Sequence, residues 1–315
     1  MTSKEKQEVL ARLAASETAS LSSTNINATD FSDELAAMNR IHQVLGVPIT
    51  QTDRVCQNMI RRIREADLTF NFTAYKFFNR MPSGKGLYNK FSESGVNQAY
   101  IAMRDEAEEK MFDYSNKGMR SGMQNMVNRI SNLGSYSGGN NITFEPMSRP
   151  KYAALNYAGL RHGAAGQWGK SYAVLKENLK HNCTFIHSDS FDFGTRANTA
   201  GMLANYHNPY RLIVNMSENM LRALSIAVNG ANFGADLQPS GVGQTTYIEA
   251  HVHAGIMFNR DIKKLCISNL EVSEAETKTR ELSANDNSLR VINSRKLRDI
   301  FSKFAQKFGI PIEYI

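Results

Sequence analysis

The stretch Tyr247-Ile-Glu-Ala-His-Val-His253 decides how this chain is read. Its strict alternation predicts a β-strand, because successive side chains of a strand point to opposite faces. Tyr247, Glu249, His251 and His253 then share one face, and Ile248, Ala250, Val252 and Ala254 share the other. The apolar row implies a face against the core; the polar row implies a front that lines a cleft. Three readings of the front stay open on the residues alone. Glu249, His251 and His253 are the right types for a zinc or non-haem iron site in a hydrolase. Same-face residues two apart lie about 7 Å apart, however, so three in line reach one ion only through a bulge. Equally, the row can be the solvent side of an edge strand. In the third reading Glu249 is a catalytic carboxylate with His251 beside it, placed to stabilise positive charge developing on a sugar ring.

Outward from this strand, short strands are predicted near 142–145, 151–156, 170–176 and 183–187, with a helix near 216–229. Towards the N-terminus the texture is helical. Leu35, Met38, Ile41 and Leu45 recur at helical spacing before Gly46 and Pro48, and Val55, Met59, Ile60 and Ile63 mark a second helix ending near Ala66. Leu68 to Phe72 alternates as a strand, Gly86 to Phe91 is a second strand candidate, and helices follow near 97–112 and 117–131. Helices near 259–265 and 294–307 lead to Ile310-Pro-Ile-Glu-Tyr-Ile315, which reads as a closing edge strand, where proline is tolerated. Strands and helices do not alternate regularly, which disfavours a doubly wound parallel sheet and predicts an α+β fold. The division expected is a flexible leader over 1–30, a helical portion over 31–67 and a main domain over 68–315.

The 315 residues suffice for a large core, and 42% hydrophobic with 21% charged residues is ordinary globular composition. The net charge of +7 comes from dispersed basic residues, with Arg61, Arg62 and Arg64 the one tight cluster, so no nucleic-acid partner is expected, and no apolar run approaches the length that spans a bilayer, so no membrane is expected. Cys56, Cys183 and Cys266 are far apart and odd in number, which gives no metal-spaced pair and no disulfide framework. Cys183 reads as a packed small residue. The loop from Gly159 to Gly169 holds Arg161, His162, Gln167 and Trp168, and its glycines permit close backbone approach to a ligand. Ser171, Ser188, Asp189 and Ser190 fall at predicted strand ends, where they can bond a ribose or cap turns.

Several segments together resemble a bacterial family of unknown function related to the CteC-like effectors, threonine-specific mono-ADP-ribosyltransferases that modify host ubiquitin. They are Gly86 to Gly95, Arg149-Pro-Lys-Tyr-Ala-Ala-Leu-Asn156, Gly169 to Leu175, Cys183-Thr-Phe-Ile-His-Ser-Asp-Ser190 and Tyr247 to His253. The resemblance implies an ADP-ribosyltransferase-like mixed split β-sheet with a helical N-terminal portion, and NAD as the donor substrate. It implies Glu249 and Asn156 as catalytic residues, and Lys90, Arg149, Tyr152, Ser188 and His251 as contacts to NAD. It further implies a host protein acceptor, ubiquitin in the related effectors, and secretion by a bacterium into the host cytosol. The polar 16–30 segment resembles the export tails of such effectors. Where the family pattern has Tyr-Arg on the first strand, this chain has Tyr88-Asn89-Lys90. A one-residue shift on a strand reverses the face, so the charge at the pyrophosphate falls to a displaced Lys90 or to Arg149. A non-enzymatic effector that binds a host protein on the same fold is the alternative to an enzyme.

Overall fold

The computed structural model describes residues 26–77, 87, 108, 111, 114–115, 118–119, 150–190, 202–230, 247–285 and 290–315. Two helices lead into the first strand. α1 (Ile26–Leu45) ends at Gly46, whose φ of 67° is the left-handed conformation that a glycine adopts without Cβ strain. α2 (Ile49–Glu65) follows Pro48 and buries Cys56, Met59, Ile60 and Ile63, one stripe at 3–4 residue spacing. Ala66 turns extended and the chain runs straight into β1 (Asp67–Phe72). The expected leader boundary at residue 30 therefore falls inside α1, which begins at Ile26.

After the short α3 (Ala74–Phe77), two residue pairs, β2 (Tyr114–Ser115) and β3 (Gly118–Met119), form a separate antiparallel ribbon. That ribbon stands where the helix over 117–131 was expected to begin. Glu108 and Met111 are helical, as predicted for 97–112; the strand expected over 142–145 and most of the one over 86–91 lie outside the described residues.

The main sheet takes β4 (Lys151–Asn156), β5 (Ser171–Leu175), β6 (Cys183–Ile186), β7 (Ala204–Asn205), β8 (Ile248–Val252), β9 (Ile262–Ile267) and β10 (Ile312–Tyr314). With β1 they form eight strands in the order β10-β9-β5-β1-β4-β8-β6-β7. β10 runs parallel to β9 and every other neighbouring pair is antiparallel, so the fold is α+β with a mixed sheet, and β10 is the edge strand its proline suggests.

One face of this sheet carries the core. Leu68 and Phe72, Ala153 and Leu155, Ala173 and Leu175, Cys183 and Phe185, and Ile248, Ala250 and Val252 all belong to a single buried cluster. α2, α5 (Glu218–Val228) and α9 (Ser294–Phe308) contribute Met59, Ile60 and Ile63, Met220, Leu221 and Leu224, and Leu297, Phe301 and Phe304 to that same cluster. The N-terminal helices thus share their core with the sheet. α5 starts where the Ser217 hydroxyl accepts the Met220 N–H, and α9 where the Asn293 side chain accepts the Lys296 N–H, both ordinary N-caps. The short α4 (Tyr210–Asn215) precedes α5. No helix among the described residues is long and apolar enough to cross a membrane.

The helix expected over 259–265 is overturned. Only Phe258–Asp261 is helical (α6), and Ile262–Ile267 is β9. Consecutive Lys263 and Lys264 disguise the strand because they break its alternation. Leu175 pairs with Ile262 but Val174 pairs with Lys264, so Lys263 is the extra residue of a β-bulge. The bulge returns Ile262 to the core and leaves Lys263 outside, 3.8 Å from Asp67. Two further helices, α7 (Asn269–Ser273) and α8 (Ala275–Asn285), were not anticipated.

Candidate active site

The second face of the sheet is polar, and it is built from the alternate residues of the same strands. Tyr152 on β4, His251 on β8, Thr184 on β6 and Asn205 on β7 pair directly across, forming a transverse row. The next row is Thr69, Ala154, Glu249 and Ile186. The front of β8 is as buried as its back. Glu249 is 5% exposed and His251 is fully buried, so this is an inner strand and the edge-strand reading of 247–253 fails.

A charged carboxylate at that depth requires hydrogen-bond donors. Glu249 Oε1 accepts from the Ser190 backbone N–H at 3.2 Å and lies 2.8 Å from His251 Nε2. His251 Nδ1 lies 3.1 Å from Thr184 Oγ1, and the same hydroxyl lies 2.9 Å from His253 Nε2. The Tyr152 ring meets His251 edge-on at 5.3 Å between centroids, and its phenol donates to Glu108 Oε1 at 2.7 Å. The polar residues therefore form one connected set running from Ser190 through Glu249, His251 and Thr184 to His253.

Burial sets the protonation of the flanking groups. His253 is pushed down to about 3 by burial first, then by the charges of His251 and Lys151, so its imidazole is neutral at ordinary pH. Lys151 is lowered to about 8, again by burial, with the Glu108 carboxylate opposing. The Tyr247 phenol is pushed upward by burial and by the neighbouring Glu249 and Asp189 carboxylates, and it donates to Asp189 Oδ2 at 3.1 Å. Burial likewise raises the Cys183 thiol, which donates to the Leu179 carbonyl. Cys183 is the packed small residue expected, and the three cysteines are free and buried.

The loop after β4 roofs part of this face. Ala164 and Ala165 pack with Ala154 and Tyr247, and the nearby Trp168 stays 60% exposed. Two of its glycines, Gly163 and Gly169, make their close approach to β1. A Cβ on Gly169 (φ 146°) would lie 2.0 Å from the Phe72 carbonyl carbon, and one on Gly163 (φ 74°) would lie 2.7 Å from Asn71 Oδ1. Asn71 Nδ2 ties the loop down by donating to the carbonyls of His162 and Gly169.

The residues named from the sequence divide clearly. Glu249, His251 and Tyr152 lie together, with Ser188 half-buried in the bend that carries Ser190 towards Glu249. Asn156 is at the end of β4, and its amide is closed on the following turn: Nδ2 donates to the Leu160 carbonyl and Oδ1 accepts the Leu160 N–H. Lys90 and Arg149 lie outside the described residues. Ser171 serves the scaffold by donating to Glu271 Oε2 at 2.6 Å. Arg62 and Arg64 of the basic cluster bond the carbonyls of Tyr157, Tyr206 and His207. Glu249 meets His251, and His251 and His253 both meet Thr184; among the described residues no three His, Cys, Asp or Glu side chains are grouped to hold a metal ion. Thr184 is the residue the sequence reading missed. Its signal is a lone hydroxyl between Cys183 and Phe185, and that gains meaning only once β6 is known to pair with β8.

The family described as Protein of unknown function (DUF3626) matches residues 85–289, and the chain belongs to it. That span includes Tyr152, Thr184, Ser190, Glu249, His251 and His253. No curated protein matches the chain.

Proposed function

We propose that the protein is a mono-ADP-ribosyltransferase that takes NAD as donor substrate and a protein side chain as acceptor. The observation that carries this reading is the buried Glu249, fixed on an inner strand by a backbone N–H and an imidazole. In this chemistry the bond between C1′ of the ribose and nicotinamide breaks, nicotinamide leaves neutral, and positive charge develops on the ribosyl ring. An acceptor hydroxyl then bonds C1′ and releases its proton. A fixed carboxylate near C1′ favours the charge-separated transition state more than the ground state. Glu249 would hydrogen-bond the ribose 2′-hydroxyl and stabilise the oxocarbenium ion. The pyrophosphate would fall to Arg149 or Lys90. By the family likeness the acceptor is a host protein, ubiquitin among the candidates, and the protein a bacterial effector exported into the host cell.

The test is incubation of the full chain with labelled NAD and a eukaryotic lysate, wild type beside Glu249→Gln. The expected outcome is label on a lysate protein with wild type and a fall of about 100- to 1,000-fold in the variant, the usual cost of one lost electrostatic contact in a transition state. Full activity in the variant removes Glu249 from the mechanism. Failure of wild type to bind NAD moves the reading to a non-enzymatic effector that binds a host protein.

A further inference from the structure

The donor and acceptor count around Thr184 fixes a direction of hydrogen bonding that reaches Glu249. A carboxylate accepts only, so His251 presents N–H at Nε2 to Glu249 Oε1, 2.8 Å away. With His251 as a neutral imidazole, which has one N–H, Nδ1 is left an acceptor. The Thr184 hydroxyl lies 3.1 Å from that nitrogen and then donates to it. Thr184 Oγ1 then has lone pairs for an incoming donor, and His253 Nε2 at 2.9 Å supplies one as N–H. The order is therefore His253 N–H to Thr184, Thr184 O–H to His251, His251 N–H to Glu249.

We propose that Thr184 is a positioning residue for Glu249, acting through His251. Its hydroxyl selects the Nε2–H tautomer of His251, and that N–H holds the carboxylate in one orientation. Which ring nitrogen of a histidine carries the proton is set by the bond its other nitrogen makes. Three features support the assignment. Thr184 pairs directly opposite His251 in the β6–β8 register, so the contact is set by backbone pairing. The hydroxyl is buried, which excludes competition from bulk water. His253 gives the hydroxyl a second bond and orients its proton; its backbone N–H is itself held by the Asn182 carbonyl. His251 cannot tumble without breaking bonds at both ring nitrogens.

The kinetic consequence rests on the transferase reading of Glu249; the tautomer does not. Both are measured on the full chain, wild type beside Thr184→Ser and Thr184→Val. Long-range proton–nitrogen NMR correlations of histidine-labelled protein report the tautomer, and nicotinamide release from NAD reports turnover. Wild type and Thr184→Ser are expected to show His251 and His253 protonated at Nε2. Thr184→Val is expected to show a mixed His251 tautomer, with kcat down roughly 10- to 100-fold, the usual loss when an outer partner of a functional histidine is removed. The KM for NAD should stay within about twofold, because ground-state binding is not what the device controls. Thr184→Ser should restore kcat. Wild-type His251 protonated at Nδ1 overturns the proposal, as does a Thr184→Val spectrum that keeps the wild-type tautomers. If Thr184→Val does not fold, the wild-type and Thr184→Ser spectra still decide. If wild type releases no nicotinamide, the transferase reading fails, and the tautomers alone decide the role of Thr184.

Discussion

Glu249 and Glu271 are buried to almost the same depth, 5% and 6% exposed, yet they are held in different ways. Glu271, on α7, accepts the backbone N–H groups of Ala74 and Lys170 and the hydroxyl of Ser171. Ser171 in turn accepts the Ser268 N–H. The donors to Glu271 come from α3 and the start of β5, so the carboxylate pins both to α7 across long stretches of sequence. None of its donors titrates. Glu249 accepts the Ser190 backbone N–H, and is held besides by a histidine, behind which stand a threonine and a second histidine. A carboxylate surrounded by fixed dipoles is a structural rivet. A carboxylate on a chain of imidazoles can change its hydrogen-bonding state as protons move, which chemistry needs and a scaffold does not.

The largest effect expected from this contrast is on stability. Glu271→Ala leaves two backbone N–H groups without an acceptor, at about 1–3 kcal/mol each, so a loss of roughly 2–6 kcal/mol is expected. Chemical denaturation of the variant beside wild type measures it. A loss under about 1 kcal/mol would mean that water replaces the carboxylate, and Glu271 would no longer serve as the structural member of the pair.

How far each site could be read from sequence follows the range of its interactions. The polar face of 247–253 is legible because alternation is local, and the strands at 151–156 and 183–186 appear for the same reason. Glu271 is not legible. It sits in an unremarkable Asn269-Leu-Glu-Val272, and its partners are about 100 and 200 residues away. Thr184 needs the β6–β8 register, and β9 needs knowledge of the bulge at Lys263. Gly163 and Gly169 signal close approach, but the sequence does not say to what: for Gly169 it is the backbone at the end of β1 and for Gly163 the Asn71 side chain. Asn156 shows the same limit, since its place at a strand end is readable and the closure of its amide on Leu160 is not.

The histidine chain should also appear in the pH dependence of stability. In the unfolded chain His253 takes a proton near its ordinary value of 6.5, whereas in the fold it does so only near 3, because burial penalises the cation. Between those values the unfolded state holds the extra proton, so this contribution is complete above about pH 6.5 and is lost as pH falls towards 3. The slope from one such group is at most about 1.4 kcal/mol per pH unit. His253→Gln keeps a side-chain N–H for Thr184 but cannot titrate, so its stability should fall less steeply over that window. Parallel curves for variant and wild type would show that His253 is not the group responsible.

The smallest effect expected is the stability change in Glu249→Gln, and it tests the contrast most directly against Glu271→Gln. At Glu249 both named donors, the Ser190 N–H and His251 Nε2, fall on the same oxygen, Oε1. A glutamine can present its carbonyl oxygen there and keep both bonds. At Glu271 the donors are divided, Lys170 N–H on Oε1 and Ala74 N–H with Ser171 on Oε2. Either orientation of a glutamine then sets its NH2 against a backbone N–H, two donors facing each other in a buried site. Glu249→Gln is accordingly expected within about 1 kcal/mol of wild type, and Glu271→Gln about 1–3 kcal/mol below it, the cost of one unsatisfied buried donor. Thermal melts of the two variants, run side by side, rank them. If Glu249→Gln proves the more damaging, its carboxylate is the structural one, and the large loss of transferase activity expected of that variant would have to be read as misfolding rather than chemistry.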